Sequence, residues 1–245
     1  MRRRNLFALM VLVLCLLTKS GDLNAQTTGG HDHKFEAGGQ FTLLRNSIVN
    51  DLTIQCATVP CPGTVLSRSR KNQPGFGGRI GYNLNANVAV EAELNLFPSA
   101  DSFSAPEEFN RGHFLEGLFG VKAGKRFRKV GIFGKARPGF LYASEGDLKP
   151  RPDVGCPAIF PSPASCYQTT SKSSFALDVG GVVEVYPTQR TIFRFDFGDT
   201  MVHLSERNVS FINRATFNPR VGVFRLPAET THNVQGSIGI GVRFW

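Results

Sequence analysis

Residues 87–97 read NVAVEAELNLF. Val88, Val90, Ala92, Leu94 and Leu96 share one side of a period-two alternation; Ala89, Glu91, Glu93, Asn95 and Phe97 share the other. Successive side chains of a strand point to opposite faces, so this is a strand with one apolar face and one face carrying two carboxylates. Two settings fit it. Either the carboxylates face water above an apolar core, or they face a closed interior built for charge while the apolar face meets lipid.

The same alternation recurs along the chain. Eight strands are predicted, near 34–44, 75–84, 87–97, 113–124, 129–142, 173–186, 190–203 and 233–244. Their connections alternate in length. Asn85-Ala86, Lys125 to Arg128, and Pro187 to Gln189 form tight turns, whereas 45–74, 98–112, 143–172 and 204–232 are long, polar and rich in Pro, Ser and Asn. In an up-and-down meander every long connection then falls at one end and every short turn at the other. The strands, at roughly 10–14 residues, match or exceed the 9–11 that cross a bilayer at a tilt, and soluble strands are usually about five or six.

The two faces differ across all these strands. One carries Ile80, Tyr82, Leu94, Phe119, Val121, Ile132, Phe140, Phe175, Val183, Phe193, Phe195, Phe197, Ile238, Ile240, Val242 and Phe244. The other carries Arg79, Glu91, Glu93, Glu116, Lys122, Lys135, Arg137, Asp178, Glu184, Arg194, Asp196 and Arg243, six acids and six bases, interleaved with glycines. A closed interior needs such a balance, because a lone buried charge costs several kcal/mol. The glycines leave room for the large groups beside them. The expected fold is therefore all-β, an eight-stranded antiparallel up-and-down transmembrane barrel whose lumen is filled by paired charges. A soluble periplasmic barrel binding a small ligand is the alternative, with the apolar face as core.

The start of the chain indicates export. Arg2, Arg3 and Arg4 precede an apolar run from Leu6 to Leu17, and Leu23-Asn24-Ala25 supplies a cleavage site. This reads as a signal peptide over 1–25, too short to span. A flexible leader at 26–33 and a barrel domain at 34–245 follow. Removing 1–25 lowers the net charge from +9 to about +6, with the basic residues scattered, which argues against nucleic acid. Cys56, Cys61, Cys156 and Cys166 remain in two Pro-rich loops. An even count in an exported chain reads as disulfides; of three connectivities the local pairs, Cys56–Cys61 and Cys156–Cys166, close the shortest loops. No histidine lies near either pair, and neither a metal nor a cofactor is expected.

Residues 237–244 read SIGIGVRF. Ser237, Gly239, Val242 and Phe244 stand where the C-terminal insertion signal of outer-membrane barrels places its polar, glycine, apolar and aromatic residues; Trp245 is one residue more than that pattern has. On this pattern and the strand layout, residues 34–245 resemble the small OmpA/OmpX-type outer-membrane barrels, whose eight strands enclose an interior just wide enough for side chains. The resemblance implies no wide pore and a structural or surface-interaction role, such as envelope integrity or adhesion, carried by the outer loops. The partners it implies are outer-membrane lipid and lipopolysaccharide, the barrel-assembly machinery and a surface ligand of unstated identity.

Candidate chemistry is sparse. His203 and Ser205 end the seventh predicted strand on the apolar face and resemble the His/Ser pair of outer-membrane lipid A deacylases, in which an acid orients the His. No acid is evident here, since Glu206 points the other way and Glu229 lies in a loop, so a non-enzyme is expected. His31-Asp32-His33 lies in the leader. Asp196 is expected to pair with Arg194 or Arg137, and Asp199 to begin the exit into the last loop. Basic residues of the first loop (Arg68, Arg70, Lys71) and last loop (Arg207, Arg214, Arg220, Arg225) would meet lipopolysaccharide phosphates.

Overall fold

Each tight turn is set by a short polar side chain or a single backbone bond. Asn85 Oδ1 accepts from the backbone N–H groups of Asn87 and Val88, both at 2.8 Å, and Thr188 Oγ1 accepts from those of Arg190 at 3.2 Å and Thr191 at 3.0 Å. Such side chains offer the backbone a turn in place of a ladder. The remaining turn closes by Phe127 N–H donating to Val130 O at 2.7 Å.

These turns join long strands in a computed structural model that describes residues 34–54, 64–100, 112–155, 162–163, 166–213 and 220–244. The strands are β1 (Phe35–Ile54), β2 (Thr64–Asn83), β3 (Val88–Ala100), β4 (Gly112–Arg126), β5 (Val130–Pro150), β6 (Ser162–Pro163), β7 (Tyr167–Val185), β8 (Thr191–Leu204), β9 (Arg207–Asn213), β10 (Arg220–Leu226) and β11 (Glu229–Phe244). Eight of them close into one antiparallel barrel in the order β1-β11-β8-β7-β5-β4-β3-β2, as expected. No helix of the described residues is long and apolar enough to cross a membrane, which says nothing of a barrel.

The register gives the barrel its dimensions. Stepping between paired residues from Asn72 leads through Arg45, Val234, Asp199, Val179, Ala136, Val121 and Val90 to Tyr82. The path leaves β2 at residue 72 and returns to it at residue 82, so the shear is ten residues. With a strand spacing near 4.8 Å and a rise near 3.3 Å per residue, eight strands at that shear tilt about 41° and enclose a backbone radius of about 8 Å. Two facing arginine side chains fill such a space.

Two features depart from the sequence reading. The connections 45–74 and 143–172 are expected to be loops, yet β1 and β2 pair out to Ile54↔Thr64, and β5 and β7 pair out to Pro150↔Tyr167. Both hairpins run past the barrel, where no apolar alternation marks them. The connection 204–232 is also structured, because β9 and β10 form a hairpin and β10 takes β6 from the neighbouring connection, Arg220↔Pro163 and Val221↔Ser162. Two connections thus share one three-stranded sheet. Cys166 is buried and disulfide-bonded; Cys56, Cys61 and Cys156, and hence the expected pairings, lie outside the described residues, as do the signal, the leader and Trp245.

Candidate functional site

All twelve charged residues read as inward-facing are buried in the barrel interior. They form layers. At the turn end, Lys122 on β4 bridges Glu36 on β1, at 3.0 Å, and Glu184 on β7. Arg126 donates to Glu36 at 3.1 Å and to the Tyr186 hydroxyl at 3.0 Å, and Tyr186 donates to Glu184 at 2.6 Å. The Arg243 guanidinium lies 4.3 Å from the centre of the Tyr186 ring, a cation–π distance.

The middle layer crosses the barrel. Arg194 on β8 makes a bidentate pair with Glu91 at 2.6 and 2.8 Å. Glu91 is on β3, four strands away by either route, so this pair spans the full diameter. Arg194 also holds Asp196 at 2.7 Å. Arg137 on β5 reaches Asp178 at 2.9 and 2.5 Å, Glu91 at 3.2 Å, and Glu93. Lys135 completes the layer against Asp178 at 2.9 Å and Asp196 at 3.4 Å. Glycine makes room at two points here. A Cβ on Gly198 would stand 2.8 Å from Asp178 Oδ1, and one on Gly239 would stand 3.0 Å from Arg79 Nη1.

Above this the contacts turn neutral. Asn95 donates to Glu93 at 2.7 Å and Glu116 at 2.8 Å and accepts from Gln40 at 2.9 Å. Gln235 on β11 donates to Glu116 on the opposite wall at 2.9 Å, and Arg79 donates to Gln40 at 3.4 Å. Glu116 is the one lumen carboxylate that makes no ion pair among the described residues; its donors are two amides. Replacing Glu116 with Gln is therefore expected to change stability by no more than about 1 kcal/mol. Glu91→Gln, which strips a carboxylate from two arginines, should cost about 3–5 kcal/mol. Denaturant unfolding of the two variants in the same detergent checks the contrast.

The loop end of the lumen corrects the expectation of a charged interior throughout. Leu44, Phe97, Phe114, Leu118, Leu141, Ala143, Ala176, Val202 and Leu204 form a buried apolar cluster there. The alternation already puts Phe97 on the Glu91 face, but a short apolar run near a strand end does not reveal which side closes over it. Glu36, Arg126 and Tyr186 also escape the sequence reading. Glu36 shares its face with Gln40 and Thr42, which is the signal that marks it; the other two sit at a strand end and in a turn.

On the outer surface, His203 Nδ1 lies 3.2 Å from the Thr230 hydroxyl, and both His203 and Ser205 are exposed. The expected exit of Asp199 into the loop is wrong. Asp199 lies within β8, faces outward and holds His232 Nδ1 at 2.6 Å. The acid thus serves a histidine 33 residues away in sequence rather than His203, and no described acid orients His203. Among the loop arginines, Arg225 pairs with Glu206 at 2.5 Å. In the turn after β5, Arg151 donates to Asp153 at 2.8 Å and holds that exposed carboxyl below its usual pKa. No group of three or more metal-binding side chains occurs among the described residues.

No protein-family model matches the chain, and no curated protein matches it. Solved structures do. Neisserial surface protein A is 12% identical over 86% of this chain and 97% of its own, with a TM-score of 0.44. Ail, the attachment invasion locus protein of Yersinia pestis, is 13% identical over 86% and 99%, at 0.39. AlkL is 11% identical over 91% and 95%, at 0.40. These superpositions are loose, and the functional conclusion rests on the geometry of this chain.

Proposed function

We propose that the protein is exported by its signal at 1–25 and spans the bacterial outer membrane as a barrel closed by its own side chains. It would present the β1–β2 and β5–β7 hairpins and the β6–β10–β9 sheet for surface interaction, without catalysis. The observation that carries this is the inversion of its faces. Ion pairs fill the interior, while Phe76, Ile80, Leu94, Phe119, Phe195, Phe197 and Ile238 stand exposed outside. A soluble barrel does the opposite, and an exposed apolar band around a closed barrel is what lipid solvates.

The same reading accounts for the chain's last strand. β11 closes the barrel between β8 and β1, and Phe244 stacks on Phe35 at 6.3 Å while Phe35 meets Tyr82 edge-on at 5.0 Å. Recognition of Ser237, Gly239, Val242 and Phe244 by the assembly machinery would thus act on the seam strand. Fractionation of the native envelope is expected to place the protein in the outer membrane, with a band on gels that shifts on boiling. A soluble periplasmic protein with no heat shift would overturn the reading.

A further inference from the structure

The β1–β2–β3 wall carries two features in line. The first is a trough. Gly39 and Gly78 face each other across β1 and β2 and both point outward, where the flanking Phe76, Ile80 and Leu94 are more than half exposed. Ala37 and Ala92 floor the same depression. A Cβ on Gly78 would meet nothing closer than 3.6 Å, so the space lies outside the wall rather than inside it. The second is a pair of cations. Continuing along the same two strands toward the loop end, the outward positions pass through Leu43 and Pro74 to Arg45, Asn72 and Arg70. All three are exposed; beyond the backbone ladder, neither arginine's side chain makes a hydrogen bond or ion pair among the described residues. Arg45 pairs with Asn72 in the ladder, which makes Arg70 its diagonal neighbour, within reach of one anionic group.

The spacing matches a lipid. Arg45 stands six residues beyond Gly39 on β1. At about 3.3 Å per residue and a tilt near 41°, that is about 15 Å along the barrel axis, half the thickness of a hydrocarbon core of about 30 Å. A headgroup phosphate at the arginines therefore places an acyl chain along the trough down to the midplane.

From this we infer that the β1–β2–β3 wall is a binding site for one acylated phosphoglycolipid of the outer leaflet, lipid A in chemical class. Arg45 and Arg70 clasp a phosphate, Asn72 donates to it, and the glycine trough seats an acyl chain. The site rests on the membrane-spanning reading and goes beyond it: Arg70, expected from the sequence in the first loop, lies on β2 beside Arg45, and the two share one wall with the glycine trough, which adds an acyl-chain seat to a phosphate contact.

The full chain, folded in neutral detergent, tests it by titration with lipid A, with phosphatidylcholine and with glucosamine 1-phosphate, read by native mass spectrometry. Lipid A is expected to bind most tightly. Arg45→Gln with Arg70→Gln should weaken it about thirtyfold, since one arginine near a membrane surface is worth about fivefold. Gly78→Leu should weaken lipid A several-fold and leave the heat shift intact. Unchanged lipid A affinity in the arginine pair or in Gly78→Leu overturns the site. So does equal binding of the unacylated sugar phosphate. A chain with no heat shift fails the barrel reading instead.

Discussion

Arg137→Met is expected to destabilise the barrel by about 3–5 kcal/mol, the usual cost of removing one partner from a buried ion pair. The reason lies in what stays behind. Glu91 keeps Arg194 and Asp178 keeps Lys135, but Glu93 loses its only cation among the described residues and retains a hydrogen bond from Asn95 at 2.7 Å. The cost is thus largely that of one uncompensated carboxylate. Adding Glu93→Gln to Arg137→Met should recover more than half of the loss, because the second change removes the stranded charge. Urea unfolding of both variants, followed by the heat-shifted gel band, gives the comparison. A single variant within about 1 kcal/mol of wild type would mean that water, and not Arg137, solvates Glu93.

The second large effect concerns the outside. Phe195 is 46% exposed, faces outward between Phe193 and Phe197, and pairs in the ladder with Val183 and Ile238. Phe195→Arg is expected to cost about 2–4 kcal/mol in a lipid bilayer, as a cation at the midplane of a barrel wall does, falling to about 0–1 near the interfaces. Thr191→Arg, at the turn end of the same strand, is the control and should change little. Refolding into vesicles across a denaturant series measures both. If the barrel were soluble, Phe195→Arg would exchange an exposed ring for a solvated charge at no cost, and that outcome would put water outside the wall.

The alternation read first in NVAVEAELNLF and then along the other strands was enough to sort the twelve lumen charges, because a strand's side-chain period is two and does not depend on what surrounds it. It could not tell where the charge layer stops. Leu118 and Leu141 share their faces with Glu116 and Arg137, and they become a plug only because Leu44, Phe97 and Phe114 converge on them from other strands. The pairings were equally out of reach. Glu91 lies 103 residues from Arg194, and Asp199 lies 33 from His232; which acid meets which base depends on the shear, a property of the closed ring.

By itself, the sequence determined the strands of the barrel, their parity, the three turns and the balance of interior charge, all of which are local or additive quantities. The tertiary structure decided the register, the diametric Arg194–Glu91 brace, the apolar loop-end plug, the sheet shared by two connections, and the alignment of Arg45 and Arg70 with the Gly39–Gly78 trough. Each of these brings together residues from different strands, and only closure of eight tilted strands at a shear of ten sets which of them meet.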